Sequence, residues 1–281
     1  MTVLIAGCGD LGTEVGLRLV ALGRPVVGLR RRAGLLPAAL NGQSVDLARQ
    51  RPVVPPDTDM VIVTVAAGSP DPDVYRAAYV TGLANLLDAL DEAAVTPRRF
   101  LLVSSTAVYD IDDGSTVTEQ TLPNPGPGTD SILLEAEQLL GRRMPSAVVL
   151  RLGGVYGPGR ERLISQVREG RATLAARFRL TNRIHRDDAA ALIVHLMLRT
   201  EAPESLYLGV DSTPVPGAEV LAFLAAELGL PEPEIVETGG RRGGNKRVSN
   251  QRVLDTGFVF GYPSYREGYR AVLAGQAVRH P

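Results

Sequence analysis

The stretch VLIAGCGDLGTEVGLRLVALG, residues 3–23, predicts a strand, a tight turn and a helix in immediate succession. It opens on four apolar residues, a run that is typical of a strand buried on both faces of a parallel sheet. Gly7, Gly9 and Gly12 follow as a Gly-x-Gly-x-x-Gly motif, and apolar residues then recur at helical spacing. Because this motif leaves a strand and opens a helix, it is typical of a loop that binds the pyrophosphate of a dinucleotide.

The three glycines have separate physical roles in such a loop. The first allows a tight turn, the second lets backbone N–H groups approach the pyrophosphate, and the third lets the helix pack closely on the strand. The N-terminus of the helix adds unpaired N–H groups that favour an anion. We therefore expect the loop to contact the cofactor through Gly7, Gly9, Asp10, Leu11 and Gly12.

The second predicted strand, VVGL at residues 26–29, is followed by Arg30, Arg31 and Arg32. An NAD site usually carries an acidic residue about 20 positions after the glycine motif, where it accepts a hydrogen bond from the adenosine ribose. Guanidinium groups at this point would instead pair with the 2′-phosphate of NADP. The sequence therefore favours NADP as the cofactor, with Arg30 and Arg31 as contacts and with NAD as the alternative.

Apolar strands and amphipathic helices alternate beyond this point. Further strands are predicted at residues 59–67, 100–105 and 146–157, and tyrosines and leucines recur every three or four residues in a helix at 73–90. This alternation predicts an α/β fold, in which a doubly wound, Rossmann-type parallel sheet is covered by helices on both faces.

The C-terminal part of the chain has shorter strands and many Pro and Gly breaks. It predicts a smaller α/β domain beside the sheet, which would bind the substrate. We predict a dinucleotide-binding domain over residues 1–155, to which 184–204 return, and a smaller substrate domain over 156–183 and 205–281.

Composition restricts the function classes. The chain has 281 residues, 44% of them hydrophobic, with no apolar run near the length of a membrane span and no secretion signal, so we expect a cytoplasmic protein outside the membrane. One cysteine and three scattered histidines give neither a disulfide nor a metal-ligand spacing, and no metal site is expected. The net charge is −1, and we interpret RRGGNKR (241–247) as a solvated loop rather than a nucleic-acid site.

Several other segments complete a family pattern. They are VDL (45–47), VSSTAVYD (103–110), RLGGVYGPGR (151–160), NRIHRDDAA (182–190) and the stretch from 244 to 269. With the glycine loop, they make the chain resemble the extended short-chain dehydrogenases/reductases, which include NAD-dependent epimerases and dehydratases of nucleotide sugars. The late stretch is similar to an atypical branch of that family. The resemblance covers nearly the whole chain, and it implies that Asp46 and Leu47 contact the adenine.

The resemblance also implies a catalytic set of a tyrosine, a lysine four residues later, and a serine or threonine. An unperturbed phenol has a pKa of ~10, so it rarely loses its proton at neutral pH. The positive charge of the lysine favours the phenolate and thereby lowers the pKa of the tyrosine. Ser105 fits the third role, which is to orient the substrate oxygen. The alternative is a structural role, in which its hydroxyl only forms a hydrogen bond with the backbone at the end of the strand. Thr129 and Leu133 occupy the positions of the tyrosine and the lysine, and no Tyr-x-x-x-Lys occurs in the sequence.

Two functional hypotheses remain. The first is an oxidoreductase or epimerase whose proton relay has moved to another side chain. The candidates for that relay are Tyr75, Tyr79, Tyr109, Tyr156 and His185. The second hypothesis is a regulator or scaffold that binds NADP without hydride transfer, which the missing tyrosine and lysine favour.

A phosphate-bearing substrate, such as a nucleotide sugar, would need fixed cations. Arg160, Arg162, Arg183 and Arg186 lie in segments that the family uses at its substrate cleft. Of these we expect Arg160 and Arg183 to bind the substrate. The resemblance further implies a homodimer formed by the helices at 73–90 and 129–140. Tyr79 stands where the family usually has an asparagine that supports the catalytic lysine.

Overall fold

The computed structural model describes residues 1–236 and 244–281. Its centre is a seven-stranded sheet in which all neighbouring strands are parallel. The strands are β1 (Thr2–Ala6), β2 (Val26–Arg30), β3 (Asn41–Ser44), β4 (Thr58–Val63), β5 (Arg99–Ser105), β6 (Val148–Leu152) and β7 (Leu206–Gly209). Their spatial order is β3-β2-β1-β4-β5-β6-β7, so the strand order reverses between β1 and β4. This topology confirms the Rossmann-type doubly wound α/β fold predicted from the sequence.

Helices connect the strands. They are α1 (Asp10–Ala21), α2 (Pro72–Tyr75), α3 (Gly82–Glu92), α4 (Thr129–Arg143), α5 (Arg162–Arg168), α6 (Arg186–Leu198), α7 (Gly217–Glu227), α8 (Gln251–Asp255) and α9 (Tyr265–Leu273). A π-helical segment, Arg76–Thr81, joins α2 to α3 within the helix predicted over 73–90. Short strand pairs outside the main sheet are Gly154–Tyr156 with Arg183–His185, Leu180–Thr181 with Val215–Pro216, Leu174–Ala175 with Ile235–Val236, and Thr116–Val117 with Arg247–Val248.

Both faces of the sheet are covered, because side chains alternate along each strand. Val3 and Ile5 of β1 pack in one apolar cluster with residues of α1 and α6, and Leu4 and Ala6 pack in another with residues of α3 and α4. All five residues of β1 are buried. A strand that is buried on both faces has no solvent side, which explains why the run from Val3 to Ala6 is apolar throughout.

Two C-terminal segments belong to the main sheet and its core rather than to the smaller domain. Residues 205–210 were predicted to lie in that domain, but β7 pairs with β6 and forms an edge of the main sheet. Val253, Phe258 and Phe260 likewise pack in the cluster with α1 and α6. The difference arises because a short apolar strand does not indicate which sheet it will join.

The smaller region has an apolar cluster of its own, formed by residues of α5, α7 and α9. That this region is a separate domain stays a prediction.

Residues 241–243 of the basic run RRGGNKR lie outside the described residues. Within the described residues, no helix combines the length and the apolar character that crossing a membrane requires.

Candidate functional site

A cleft of about 1040 Å³ opens at the carboxyl ends of the central strands. Ligands of doubly wound sheets bind in such a crevice, where the strand order reverses. Of the residues predicted from the sequence, the cleft is lined by Gly7, Gly9, Asp10, Leu11, Arg30, Arg31, Asp46, Leu47, Ser105 and Arg160. The structure therefore brings the glycine loop, the arginine run, the predicted adenine contact and Ser105 into one site.

The glycine loop has different requirements at its three glycines. Gly7 has a φ of +78°, a left-handed conformation, and a Cβ there would lie 2.5 Å from Val65 Cα. A Cβ at Gly12 would lie 2.6 Å from Thr64 Oγ1, so this glycine lets α1 pack against the end of β4 rather than lining the cleft. At Gly9 the nearest atom would be 3.9 Å away. Steric contacts within the protein thus explain Gly7 and Gly12 but not Gly9.

Asp10 is the first residue of α1, and its carboxylate accepts hydrogen bonds from three other segments. Oδ1 accepts from Arg186 Nη1 at 2.7 Å and from the backbone N–H of His280 at 3.1 Å. Oδ2 accepts from Arg160 Nε at 3.1 Å. Arg186 is fully buried beside Asp10. Its segment was predicted to lie at the substrate cleft, but its contact with Asp10 was not predicted.

The arginine run lies at the end of β2. Arg30 Nη1 donates to the backbone oxygen of Pro281 at 2.9 Å. Arg31 and Arg32 are exposed and line the cleft, and in the part of the chain that the structure describes their side chains form no hydrogen bond or ion pair. Their charges are therefore uncompensated and available to an anion in the cleft.

Ser105 is the last residue of β5. Its Oγ accepts a hydrogen bond from the backbone N–H of Ala107 at 3.1 Å and caps a short 3-10 helix, Thr106–Val108. This bond is the local role that a strand-end hydroxyl would have. It does not use the hydroxyl hydrogen, so Ser105 can still donate to a ligand in the cleft.

Thr129 and Leu133, which were predicted to occupy the positions of the family's tyrosine and lysine, lie on α4. Leu133 is buried in an apolar cluster, and Tyr75 and Tyr79 pack against the same cluster. Tyr79 also lines the cleft, but burial raises the pKa of its phenol to about 12. An adjacent cation would be needed to reverse such a shift. Tyr79 is therefore poorly suited to lose its proton near neutral pH.

A buried ion pair joins α4 to the sheet next to Ser105. Glu137 of α4 accepts from Arg151 Nε at 3.0 Å, from Arg151 Nη2, and from the hydroxyl of Ser104. Arg151 Nη1 also donates to the hydroxyl oxygen of Tyr109. Burial raises the pKa of Tyr109, whose phenol is thus held inside the protein as a hydrogen-bond partner of Arg151. The sequence did not predict this network.

Comparison with known proteins identifies the family. A model of the NAD dependent epimerase/dehydratase family matches residues 3–209. The chain belongs to this family. A solved structure from Methylobacillus flagellatus, described as an NAD-dependent epimerase/dehydratase, is 38% identical, covers 98% of each chain and has a TM-score of 0.81. No curated protein matches the chain.

Two further solved structures share the fold with this family member. A protein of unknown function from Silicibacter pomeroyi is 27% identical, with 98% of each chain covered and a TM-score of 0.81. MoeE5, solved with UDP-glucuronic acid and NAD, is 22% identical, with 98% of each chain covered and a TM-score of 0.82. The family match confirms the resemblance to NAD-dependent epimerases and dehydratases that the sequence indicates.

The two arginines predicted to bind the substrate of this family member line different cavities. Arg160 lines the main cleft, whereas Arg183 lines a second cavity of about 480 Å³. The second cavity also presents Arg177 and Arg179, which lie 3.2 and 3.6 Å from carboxylate oxygens of Asp112. Arg160 also pairs with Asp10, beside the glycine loop.

Buried polar atoms lie around the short strand pair that follows β6. Among the described residues, Tyr156 Oη, Arg183 Nη1, His185 Nε2 and Asp211 Oδ2 are buried and have no hydrogen-bond partner. Burial lowers the pKa of His185 to about 4 and raises the pKa of Asp211 to about 7. A pKa so far below neutrality makes the ring of His185 a poor proton acceptor at pH 7, which argues against the proton-relay role considered for it. Its Nδ1 accepts from the backbone N–H of Asp187 and caps α6.

We expect Asp211→Asn to change how stability depends on pH. The raised pKa of Asp211 makes the free energy of unfolding fall as pH rises from about 4 to about 7, because the folded state binds the proton more tightly. The lowered pKa of His185 makes the free energy of unfolding rise from about pH 4 to 6.5, because the unfolded state binds that proton more tightly. The two effects oppose each other, and the substitution removes only the first.

Urea unfolding measured from about pH 4 to pH 7 should therefore show that the variant gains stability relative to the wild type as pH rises. Asp255→Asn is the control, because Asp255 is exposed. Its curve should run parallel to that of the wild type. A parallel curve for Asp211→Asn would contradict the assigned effect of burial.

Proposed function

We propose that the chain binds a nicotinamide dinucleotide in the main cleft, with NADP preferred to NAD, and acts as an oxidoreductase or epimerase on a small molecule. The observation that carries the proposal is that the glycine loop, Arg30, Arg31 and the segment 46–47 line one cavity at the carboxyl edge of the sheet. Its volume of about 1040 Å³ is slightly above the ~300–1,000 Å³ range of small-molecule and cofactor sites.

The lining residues support one orientation of the cofactor. The pyrophosphate would lie at the N-terminus of α1, the adenine near residues 46–47, and the 2′-phosphate beside Arg31 and Arg32. When bound, the nicotinamide would supply or accept a hydride. Ser105 would then orient the substrate oxygen through its hydroxyl hydrogen, with its Oγ held by the backbone N–H of Ala107.

A nucleotide sugar is the substrate class that we propose. The second cavity supports it, since Arg177, Arg179 and Arg183 line that cavity and guanidinium groups pair well with phosphate oxygens. The structure of MoeE5, which shares the fold, holds UDP-glucuronic acid together with NAD. A cytoplasmic location and a homodimer through the helices at 73–90 and 129–140 stay predictions.

A regulator that binds NADP without turnover is the second candidate. The observation that favours it is the position of Leu133, which is buried in apolar contacts where the family resemblance implies a lysine. The phenols of Tyr79 and Tyr109 both have raised pKa values, so neither replaces the missing pair as a base near neutral pH. Turnover of nucleotide sugars by the wild type would separate the enzyme from the regulator.

We expect the double substitution Arg31→Ala with Arg32→Ala to remove the preference for NADPH. Hydrogen bonds to charged groups are worth about 1.5–3 kcal/mol, so binding of NADPH should weaken about 10- to 100-fold while binding of NADH is unchanged. For the wild type, NADPH at about 100 times its dissociation constant should add about 2.7 kcal/mol to the free energy of unfolding. Thermal unfolding with each cofactor measures both effects.

Arg142→Ala is the matched control, because Arg142 is an exposed arginine at the end of α4 and does not line the cleft. It should respond to NADPH as the wild type does. Equal stabilisation of the wild type by NADPH and NADH would contradict the preference for NADP. No stabilisation by either cofactor would contradict the proposed cofactor site.

A further inference from the structure

The N-terminus of α1 carries a negative charge at the point where the proposed function requires an anion to bind. Asp10 lines the cleft beside Gly7 and Gly9, and only 7% of its side chain is exposed. Its carboxylate would repel the pyrophosphate of a dinucleotide unless a cation stands between them. The side chains that contact Asp10 therefore decide whether this helix N-terminus can accept an anion.

Two arginines contact Asp10 from different sides. Arg186 is buried and divides its guanidinium between Asp10 Oδ1 and Asp187 Oδ1, each at 2.7 Å. It also donates to the backbone oxygen of Val278 at 2.9 Å, so it is fixed on three sides. Arg160 contacts Oδ2 from the cleft, and 40% of its side chain is exposed. Of the two arginines, Arg160 is the one that faces a ligand.

The guanidinium of Arg160 is anchored at one nitrogen. Its Nε donates to Asp10 Oδ2, while Nη1 and Nη2 form no hydrogen bond within the part of the chain that the structure describes. A planar guanidinium that is fixed at Nε and keeps both terminal nitrogens available has the geometry for bidentate binding of a phosphate group.

We propose that Arg160 binds the pyrophosphate of the dinucleotide, and that Asp10 acts as its positioning residue, held in turn by the buried Arg186. The inference rests on the proposed function and changes the role of Arg160 from a substrate contact to a cofactor contact. It also explains why a carboxylate can stand at this helix N-terminus, since Asp10 orients a cation towards the cleft instead of contacting the cofactor itself.

Titration calorimetry of Arg160→Ala tests this assignment by comparing ligands that contain the pyrophosphate with one that does not. NADPH, NADH and ADP-ribose all contain the pyrophosphate, so the variant should bind each of them about 10- to 100-fold more weakly than the wild type does. Adenosine 2′-monophosphate has no pyrophosphate and should bind both proteins alike. This pattern differs from that of Arg31 and Arg32, whose loss should weaken the binding of NADPH and adenosine 2′-monophosphate but not of NADH or ADP-ribose.

Two variants serve as controls. Arg162→Ala removes an exposed arginine two residues further along, which lines neither cavity, and should bind all four ligands as the wild type does. Arg160→Lys keeps the charge but not the planar fork, so its affinity for NADPH should lie between those of the wild type and Arg160→Ala. The lysine variant also keeps the proposal testable if the alanine variant fails to fold.

The possible outcomes separate this inference from the proposed function. If the wild type binds NADPH and NADH and Arg160→Ala binds them equally well, the inference is overturned and the proposed function stands. A loss confined to NADPH and adenosine 2′-monophosphate would assign Arg160 to the 2′-phosphate and would also overturn the inference. If the wild type binds no dinucleotide, both the proposed function and this inference fall.

Discussion

We expect Arg151→Ala to lower the free energy of unfolding by about 3–5 kcal/mol, because it leaves the carboxylate of Glu137 buried without its cation. The two side chains are 6% and 7% exposed and join β6 to α4. Arg151 contacts Glu137 through both Nε and Nη2, and it also donates to Tyr109. The substitution therefore removes several buried hydrogen bonds together with the charge.

Thermal unfolding measures this effect, and the midpoint should fall by about 10 °C. Arg76→Ala is the matched control, because Arg76 forms an exposed ion pair with Glu135 of the same helix α4, and such pairs contribute about 0–1 kcal/mol. The double variant Arg151→Met with Glu137→Leu should recover most of the loss, since apolar residues can replace a buried ion pair. An equal effect of Arg151→Ala and Arg76→Ala would contradict the buried pair.

Local patterns in the sequence explain why the fold was predictable. The run from Val3 to Ala6 and the glycine motif after it indicate strand, turn and helix within one short segment, and the same alternation repeats along the chain. Such patterns do not distinguish a π-helical segment from an α-helix, so Arg76–Thr81 could not be anticipated. Nor do they give the partner of a short strand such as β7, which depends on contacts far away in the sequence.

The candidate site was predictable only where one segment carries the signal. The glycine loop and Arg30 directly follow predicted strands, and Ser105 is the last residue of another. The carboxyl ends of parallel strands meet at one edge of the sheet, so these residues line one cleft. The contact between Arg186 and Asp10 joins residues 176 positions apart and has no local signature. One signal was available for Arg151: a charged residue inside the apolar strand VVLRL needs a buried partner.

The second large effect is expected at the first glycine of the loop, where Gly7→Ala should abolish dinucleotide binding and also destabilise the fold. The new Cβ would lie 2.5 Å from Cα and 2.6 Å from N of Val65, which are backbone atoms that cannot rotate away. A left-handed conformation adds about 1–2 kcal/mol of strain for a residue with a side chain. Either the turn after β1 or the segment at Val65 that follows β4 must therefore move, and both line the cleft.

Gly9→Ala distinguishes the loss of binding from the loss of stability. A Cβ at Gly9 would have no atom closer than Gly7 O at 3.9 Å, so the variant should unfold at the wild-type midpoint. It should nevertheless lose affinity for NADPH, because the new methyl group would occupy the space in which the backbone approaches the pyrophosphate. Calorimetry measures the affinity of both variants for NADPH, and thermal unfolding measures their midpoints. Wild-type binding by Gly9→Ala would place the pyrophosphate away from this loop, whereas loss of binding with an unchanged midpoint would show that Gly9 serves the ligand and Gly7 serves the turn.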